Sequence, residues 1–282
     1  MTPRGSDGAI SDIMASLLEG RCGDPFRILG LHPREGGGRV VRAFVPWAAA
    51  VEVVRGEERT PMERVHEGGV FEAVFPEADH PFPYRFSVED GAGGRHLVED
   101  PYRFGPTLDE ERVHAFLRGE ELRIHHVLGA LPMEHEGVGG TRFAVWAPHA
   151  RAVGLNGDMN GWDARCHPMR SRGATGVWEL FVPGVEVGSR YKYRILNARG
   201  EEVDKTDPCG RATETRPATA SEVWAADRYA WGDRAWMEER ARTDPDTRPM
   251  SVYEVHLGSW RVRPPAERDD GDHHGWLGYR EL

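Results

Sequence analysis

The chain has 282 residues, of which 39% are hydrophobic and 9% aromatic, enough to fill about two ordinary cores and too much for a disordered chain. Its 36 Lys and Arg stand against 46 Asp and Glu, a net charge of −10 that disfavours nucleic acid as a partner. There is no apolar run of membrane-spanning length and no signal-peptide core near Met1, so no membrane association is expected and a cytoplasmic location follows.

In chain order, Ile10, Ile13, Met14, Leu17 and Leu18 recur at helical spacing and stop at Gly20 and Gly23, predicting an amphipathic helix that packs against the unit following it. An internal repeat comes next. Arg42-Ala43-Phe44-Val45-Pro46-Trp47 lies beside Ala144-Val145-Trp146-Ala147-Pro148-His149, with Pro46 and Pro148 offset by 148 − 46 = 102. Gly69-Val70-Phe71 then matches Gly176-Val177-Trp178, Tyr84-Arg85-Phe86 matches Tyr191-Lys192-Tyr193, and Asp100-Pro101 matches Asp207-Pro208, all at 178 − 71 = 107. The five-residue slip falls where the second copy carries Asn156-Gly157-Asp158-Met159-Asn160-Gly161-Trp162-Asp163.

Both copies show short alternating runs of β-branched and aromatic residues bounded by Gly, Pro, Asn and Asp, which predicts two tandem Ig-like β-sandwiches in a mainly β protein. Asp109 as an N-cap before Val113, Phe116 and Leu117 predicts a short helix between them. Residues 231–248 turn polar and read as a surface linker. Beyond it, Val252-Tyr253-Glu254-Val255-His256-Leu257 reads as a strand, a polar loop follows from Pro264 to Gly275, and Gly275 to Leu282 reads as the start of a helix. A single βα unit cannot bury its own faces, so this tail reads as the opening of a truncated (β/α)8 barrel. The expected divisions are 1–108, 109–230, 231–248 and 249–282.

Few residues invite chemistry. Cys22, Cys166 and Cys209 are too far apart in sequence for a paired framework or a metal knuckle and are taken as reduced structural thiols. The His125-His126 and His273-His274 pairs point in different directions on a regular element, so no metal and no cofactor are expected. Glu254 and His256 share a strand face but are read as structural rather than catalytic. The loop around Trp162 is the best candidate: tight turns present a large indole beside Asn160, and Lys192 on the Tyr-Lys-Tyr strand adds a donor. Trp162 serves either as a flat face for a pyranose ring or as a lid packed over the sandwich end. Trp276 likewise is either a sugar platform or part of a helix core, while Trp146 and Trp178 read as sheet residues.

The segments Asp24-Pro25-Phe26-Arg27-Ile28-Leu29-Gly30, Glu99 to Pro106, Thr141 to Pro148 and Val252-Tyr253-Glu254-Val255-His256-Leu257-Gly258-Ser259-Trp260 together resemble bacterial glycogen branching enzymes over nearly the whole chain. The resemblance implies an N-terminal sandwich, a second sandwich of carbohydrate-binding module family 48, and the start of an α-amylase-type barrel. It also implies a parent enzyme, expected to be a monomer, that cuts α-1,4-glucan and transfers the freed chain to a 6-hydroxyl with retention, its Asp nucleophile and Glu acid lying on later barrel strands. No catalytic residue is then expected in these 282. The resemblance assigns glucan contact to Trp162 and Lys192, and Asn197 to Glu202 stands where a further sugar-binding Trp would lie. A non-catalytic glycogen-binding module and a debranching or trehalose-releasing relative are the alternatives.

Overall fold

Two buried carboxylates, each reached by a tyrosine sixteen residues earlier in the chain, mark the ends of two β-sandwiches of the same design. A computed structural model describes residues 6–225, 229–269 and 274–282. The chain forms two compact units, Met1–Arg228 and Tyr229–Leu282.

The first unit opens with α1 (Ser6–Leu18), whose stripe packs inward through the buried Leu17 and the partly buried Ile13, Met14 and Leu18. The side chain of Ile10, on the expected stripe, lies outside the described residues. The first sandwich follows as β1 (Gly30–Pro33), β2 (Arg39–Phe44), β3 (Ala48–Arg55), β4 (Glu58–Pro61), β5 (Glu63–His66), β6 (Val70–Phe75), β7 (Arg85–Asp90) and β8 (Arg95–Val98). Its sheets run in the orders β1-β2-β6-β5 and β4-β3-β7-β8, and every pairing is antiparallel. Alternation turns Val41 and Ala43, Phe71 and Ala73 inward from one sheet against Val51, Val53, Phe86 and Val88 from the other, giving a core between the two layers.

Asp109 caps α2 (Glu110–Leu117) by accepting from the Glu111 N–H, as its position before the apolar stripe predicts. The second sandwich comprises β9 (Gly129–His135), β10 (Val138–Trp146), β11 (Ala152–Gly157), β12 (Arg170–Ser171), β13 (Val177–Pro183), β14 (Arg190–Leu196), β15 (Glu202–Lys205), β16 (Ala212–Thr213) and β17 (Ser221–Glu222). Its sheets run β12-β13-β10-β9 and β11-β14-β17-β16, with β15 added along the second half of β14. The strands of the repeat occupy equal places: β2 and β6 answer to β10 and β13, β7 to β14. The close turn before each of these pairs is also copied. Gly69 at φ +97° and Gly176 at φ +73° lie so near Pro46 and Pro148 that an added Cβ would sit 2.3 and 2.6 Å from the proline Cα, which only glycine avoids.

Trp178 is core, with its indole N–H on the Ala147 carbonyl, whereas Trp146 is half-exposed and edge-on to Phe116 of α2. The α1 stripe joins a cluster that holds Phe143, Val145, Tyr191 and Tyr193 of the second sandwich together with Phe44 and Val70 of the first, so the helix serves both sandwiches and not the first alone. Tyr102 enters the same cluster and donates its hydroxyl to the carbonyls of Cys166 and Pro168. Glu179, 1% exposed, accepts from the Thr107 hydroxyl and the Leu108 N–H and pairs with Arg172, which fastens the connecting segment to β13. Cys22, Cys166 and Cys209 are free thiols, and burial pushes Cys166 up to about 12.

The second unit departs from its sequence reading in two places. The polar segment read as a linker contains α3 (Arg234–Arg242), an exposed helix carrying an Arg234–Glu238 pair. The strand expected over 252–257 is not formed: residues 251–256 have no ladder, Val252 and Tyr253 are exposed, and Leu257–Trp260 turns into a short helix, α4. An alternating apolar run becomes a strand only when neighbours accept its backbone groups, and among the described residues none does. Farther on, a bridge pairs Val262 with Trp276, and Arg263 donates to the Trp276 carbonyl and to Glu281.

In each sandwich the tyrosine hydroxyl donates to the buried carboxylate, Tyr84 to Asp100 at 2.5 Å and Tyr191 to Asp207 at 2.7 Å. Burial nevertheless pushes Asp100 up to about 6 from an ordinary 3.8, and it raises Asp207 as well. Between these values the folded chain binds a proton that the unfolded chain does not, so the Asp100 contribution to stability is full below the unfolded value and is lost as pH rises through about 6. Urea midpoints followed from about pH 7 down to about pH 4.5 should therefore rise more in the wild type than in Asp100→Asn. Parallel curves would show that this carboxyl keeps its ordinary ionisation.

Candidate functional site

Strand β11 ends at Gly157, and the chain makes a 3-10 turn over Asp158–Asn160 before Gly161 and Trp162, which both adopt left-handed backbone at φ +60° and +65°. A left-handed tryptophan is disfavoured and persists only where its surroundings over-determine it. Here the Trp162 N–H donates to the Gly157 carbonyl and its indole N–H donates to Asp158 Oδ1 at 3.1 Å. Asp158 in turn accepts from the Arg190 backbone N–H and from two guanidinium nitrogens at 3.0 Å, and the Arg190 hydrogen bonds hold its carboxyl below the usual range. The indole is thus fixed by an ionised carboxylate and remains 39% exposed.

Asn160 is used differently from the expectation. Its Oδ1 accepts from the Gly157 N–H at 3.0 Å, and its Nδ2 donates to the Leu155 carbonyl at 2.8 Å and to His167 Nδ1 at 3.0 Å. Both amide hydrogens are consumed, so Asn160 braces the loop from behind and offers no donor to a ligand. Lys192 does lie where the sequence places it, on the outer face of β14 between Arg190 and Arg194, while Tyr191 and Tyr193 point into the core. Its ammonium donates to the Thr219 hydroxyl at 2.8 Å. In the β11–β14 register Lys192 stands opposite Asn156, a buried residue whose Nδ2 reaches Asp204 at 3.5 Å and whose Oδ1 meets no donor among the described residues.

Asp158 and Arg190, which sequence reasoning missed, tie the Trp162 loop to β14, the strand that carries Lys192. The signal available was the period of β14: if Lys192 faces out, Arg190 does too. Trp276 belongs to the second unit, 60% exposed, with its ring stacked on His274 at 4.4 Å. His125 and His126 have ring centroids 4.4 Å apart, and His273 lies outside the described residues. Among the described residues no three His, Cys, Asp or Glu side chains are grouped for a metal ion, and no helix is long and apolar enough to cross a membrane.

Comparison with known proteins accounts for the duplicated architecture. Residues 11–102 match the alpha-1,4-glucan branching enzyme GlgB N-terminal domain, and residues 127–210 match carbohydrate-binding module 48, the isoamylase N-terminal domain. The 1,4-alpha-glucan branching enzyme GlgB of Rubrobacter xylanophilus is 46% identical over 274 residues, which are 96% of this chain and 36% of that protein. The corresponding protein of Nitrosococcus oceani is 42% identical over 284 aligned positions, covering 100% of this chain and 36% of its own length. That of a Nostoc species is 48% identical over 250 residues, 86% of this chain and 32% of its own. The chain thus spans about a third of the curated relatives it matches. With a match to the GlgB N-terminal domain followed by one to carbohydrate-binding module 48, the chain is similar to the N-terminal part of 1,4-alpha-glucan branching enzymes GlgB.

Proposed function

We propose that this chain is the glucan-positioning part of a 1,4-α-glucan branching enzyme, and that it takes an α-1,4-glucan chain on the outer face of the β11–β14 sheet. The observation that carries this reading is Trp162: a large aromatic ring held in a strained backbone conformation and left 39% open is retained for what it presents. Its indole face suits the C–H face of a pyranose, and Lys192 supplies a donor for ring hydroxyls on the same sheet. Asn160 contributes by holding the loop. Trp276, exposed in the second unit, is a separate candidate for glucan contact.

The branching reaction is assigned to the parent enzyme, which cleaves an α-1,4 linkage, retains the configuration through a glycosyl-enzyme and delivers the chain to a 6-hydroxyl. Retaining transfer needs two carboxyl groups about 5 to 5.5 Å apart, one as nucleophile and one as acid and base. The buried carboxylates of this chain are committed elsewhere: Asp100 and Asp207 to tyrosines, Glu179 to Thr107, Leu108 and Arg172. The chemistry thus belongs to the portion of the relatives that these 282 residues do not match. A soluble intracellular monomer is the corresponding expectation for the parent.

Three results would test this reading. In native gels containing glycogen the chain should be retarded, and Trp162→Gly should lower the apparent affinity roughly 10-fold, in line with about 1 to 3 kcal/mol for an aromatic stacking contact; equal mobility of the two would remove the site. Because residue 162 is left-handed, Trp162→Gly should unfold at higher urea than Trp162→Ala by about 1 kcal/mol, which separates loss of binding from loss of fold. Incubating the 282-residue chain with amylose should leave the iodine colour unchanged, and a shift toward the colour of branched glucan would place the reaction in this part of the protein.

A further inference from the structure

Behind the Trp162 loop lies a cleft of about 310 Å³ between the two sandwiches, near the lower end of ligand-site volumes, about 300 to 1,000 Å³. Phe44, Trp47 and Val98 line it from the first sandwich, and Val185, Asn160 and His167 from the second. Trp47 is 50% exposed and touches His96 only edge-on at 6.3 Å between ring centroids, so most of one indole face is open. The walls are apolar but two polar groups remain. His167 Nδ1 takes a hydrogen from Asn160, whose own orientation is set by the Gly157 N–H on its Oδ1; this fixes the neutral ring with its hydrogen on Nε2. No acceptor for that Nε2–H is present among the described residues. At the other side, Glu99 gives Oε2 to both nitrogens of the Arg103 fork, and its Oε1 has no donor among the described residues.

From this arrangement we infer that the cleft is a second glucan subsite, taking one or two glucosyl rings with Trp47 as the stacking face, His167 Nε2–H as donor and Glu99 Oε1 as acceptor. The inference rests on the glucan reading given above, and it adds a site on the far side of the same loop. A purely apolar ligand such as an acyl chain would cover the His167 hydrogen and the Glu99 oxygen without giving either a partner, at the cost of taking unsatisfied polar groups out of water. An anion would meet the Glu99 carboxylate and a chain of net charge −10. A pyranose has what the cleft lacks: apolar C–H faces for Trp47 and Val98, and hydroxyls at the rim that both donate and accept. No tryptophan stands in the Asn197–Glu202 segment that follows the Tyr-Lys-Tyr strand, whereas the first sandwich carries Trp47 in its own β2–β3 turn.

The test titrates the full 282-residue chain, carrying 15N-labelled indoles, with maltohexaose. The Nε1–H resonances of Trp47 and Trp162 are assigned from Trp47→Phe and Trp162→Gly. Both resonances should move in the wild type, and Trp47 should still move in Trp162→Gly. Trp47→Ala, at a half-exposed position where folding is undisturbed and checked by its melting temperature, should weaken maltohexaose binding at the cleft by roughly 5-fold or more, and Trp47→Phe by less. If Trp162 moves and Trp47 does not, the cleft is not a glucan site while the outer-face reading stands. If the Trp47 shift vanishes in Trp162→Gly, it was relayed through the loop and the inference is overturned. If Trp47 moves and Trp162 stays still, the cleft is upheld and the outer face is withdrawn; if neither moves, both fall.

Discussion

A carboxylate taken out of water must be answered by donors or it becomes neutral, and the architecture of residues 6–225 is arranged around meeting that requirement twice. Asp100 receives the Tyr84 hydroxyl and the Tyr102 N–H; Asp207 receives the hydroxyls of Tyr191 and Tyr193 and the Cys209 N–H. Asp100 stands where the chain leaves the first sandwich, and Asp207 follows β15 in the turn before β16, so each side chain closes its core and also directs the outgoing backbone. Because the Asp100 turn aims Tyr102 at the carbonyls of Cys166 and Pro168, the closure of the first sandwich is what seats it against the second. The cleft and the back of the Trp162 loop exist as a consequence of that seating.

The loop itself shows where order is concentrated. Asn160 ties three backbone and side-chain groups together, Asp158 gathers Arg190 and the indole, and the strain of a left-handed tryptophan is borne by these bonds. A flexible loop would lose more conformational freedom on meeting a ligand, whereas one fixed beforehand loses little. The exposed ring and its rigid support are two aspects of one solution.

The repeat could be read from the chain because strand pattern, turn glycine and the Tyr and Asp positions are local and recur at a fixed offset. The α2 helix was legible from Asp109 and its apolar stripe. A further correspondence does not stand out in the sequence: Leu29-Gly30 and Leu128-Gly129 both follow a 3-10 turn, with the leucine N–H bonded back four residues, but two residues are too few to show. Helix α3 was missed because it buries nothing and so carries no apolar period; its arginine and glutamate pairs look the same in a linker. The alternation of Val252 to Leu257 is legible as a pattern, but residues 251–256 form no ladder, since a strand depends on neighbours that no local pattern reports. At the site, Trp162 and Lys192 were visible by residue type. The roles of Asn160, Asp158 and Arg190 depend on partners such as His167 and on a strand register, which only the fold reveals.

The two sandwiches differ most in the stretch between their third strand and the one opposite the turn glycine: 70 − 55 − 1 = 14 residues from β3 to β6, and 177 − 157 − 1 = 19 from β11 to β13. The tyrosine and aspartate that close each copy are outside this stretch and keep the same separation. A duplicated domain whose closure is independent of one connection is free to lengthen that connection without refolding. The surplus is where Trp162 resides, so the two copies share one scaffold while the second carries an additional surface.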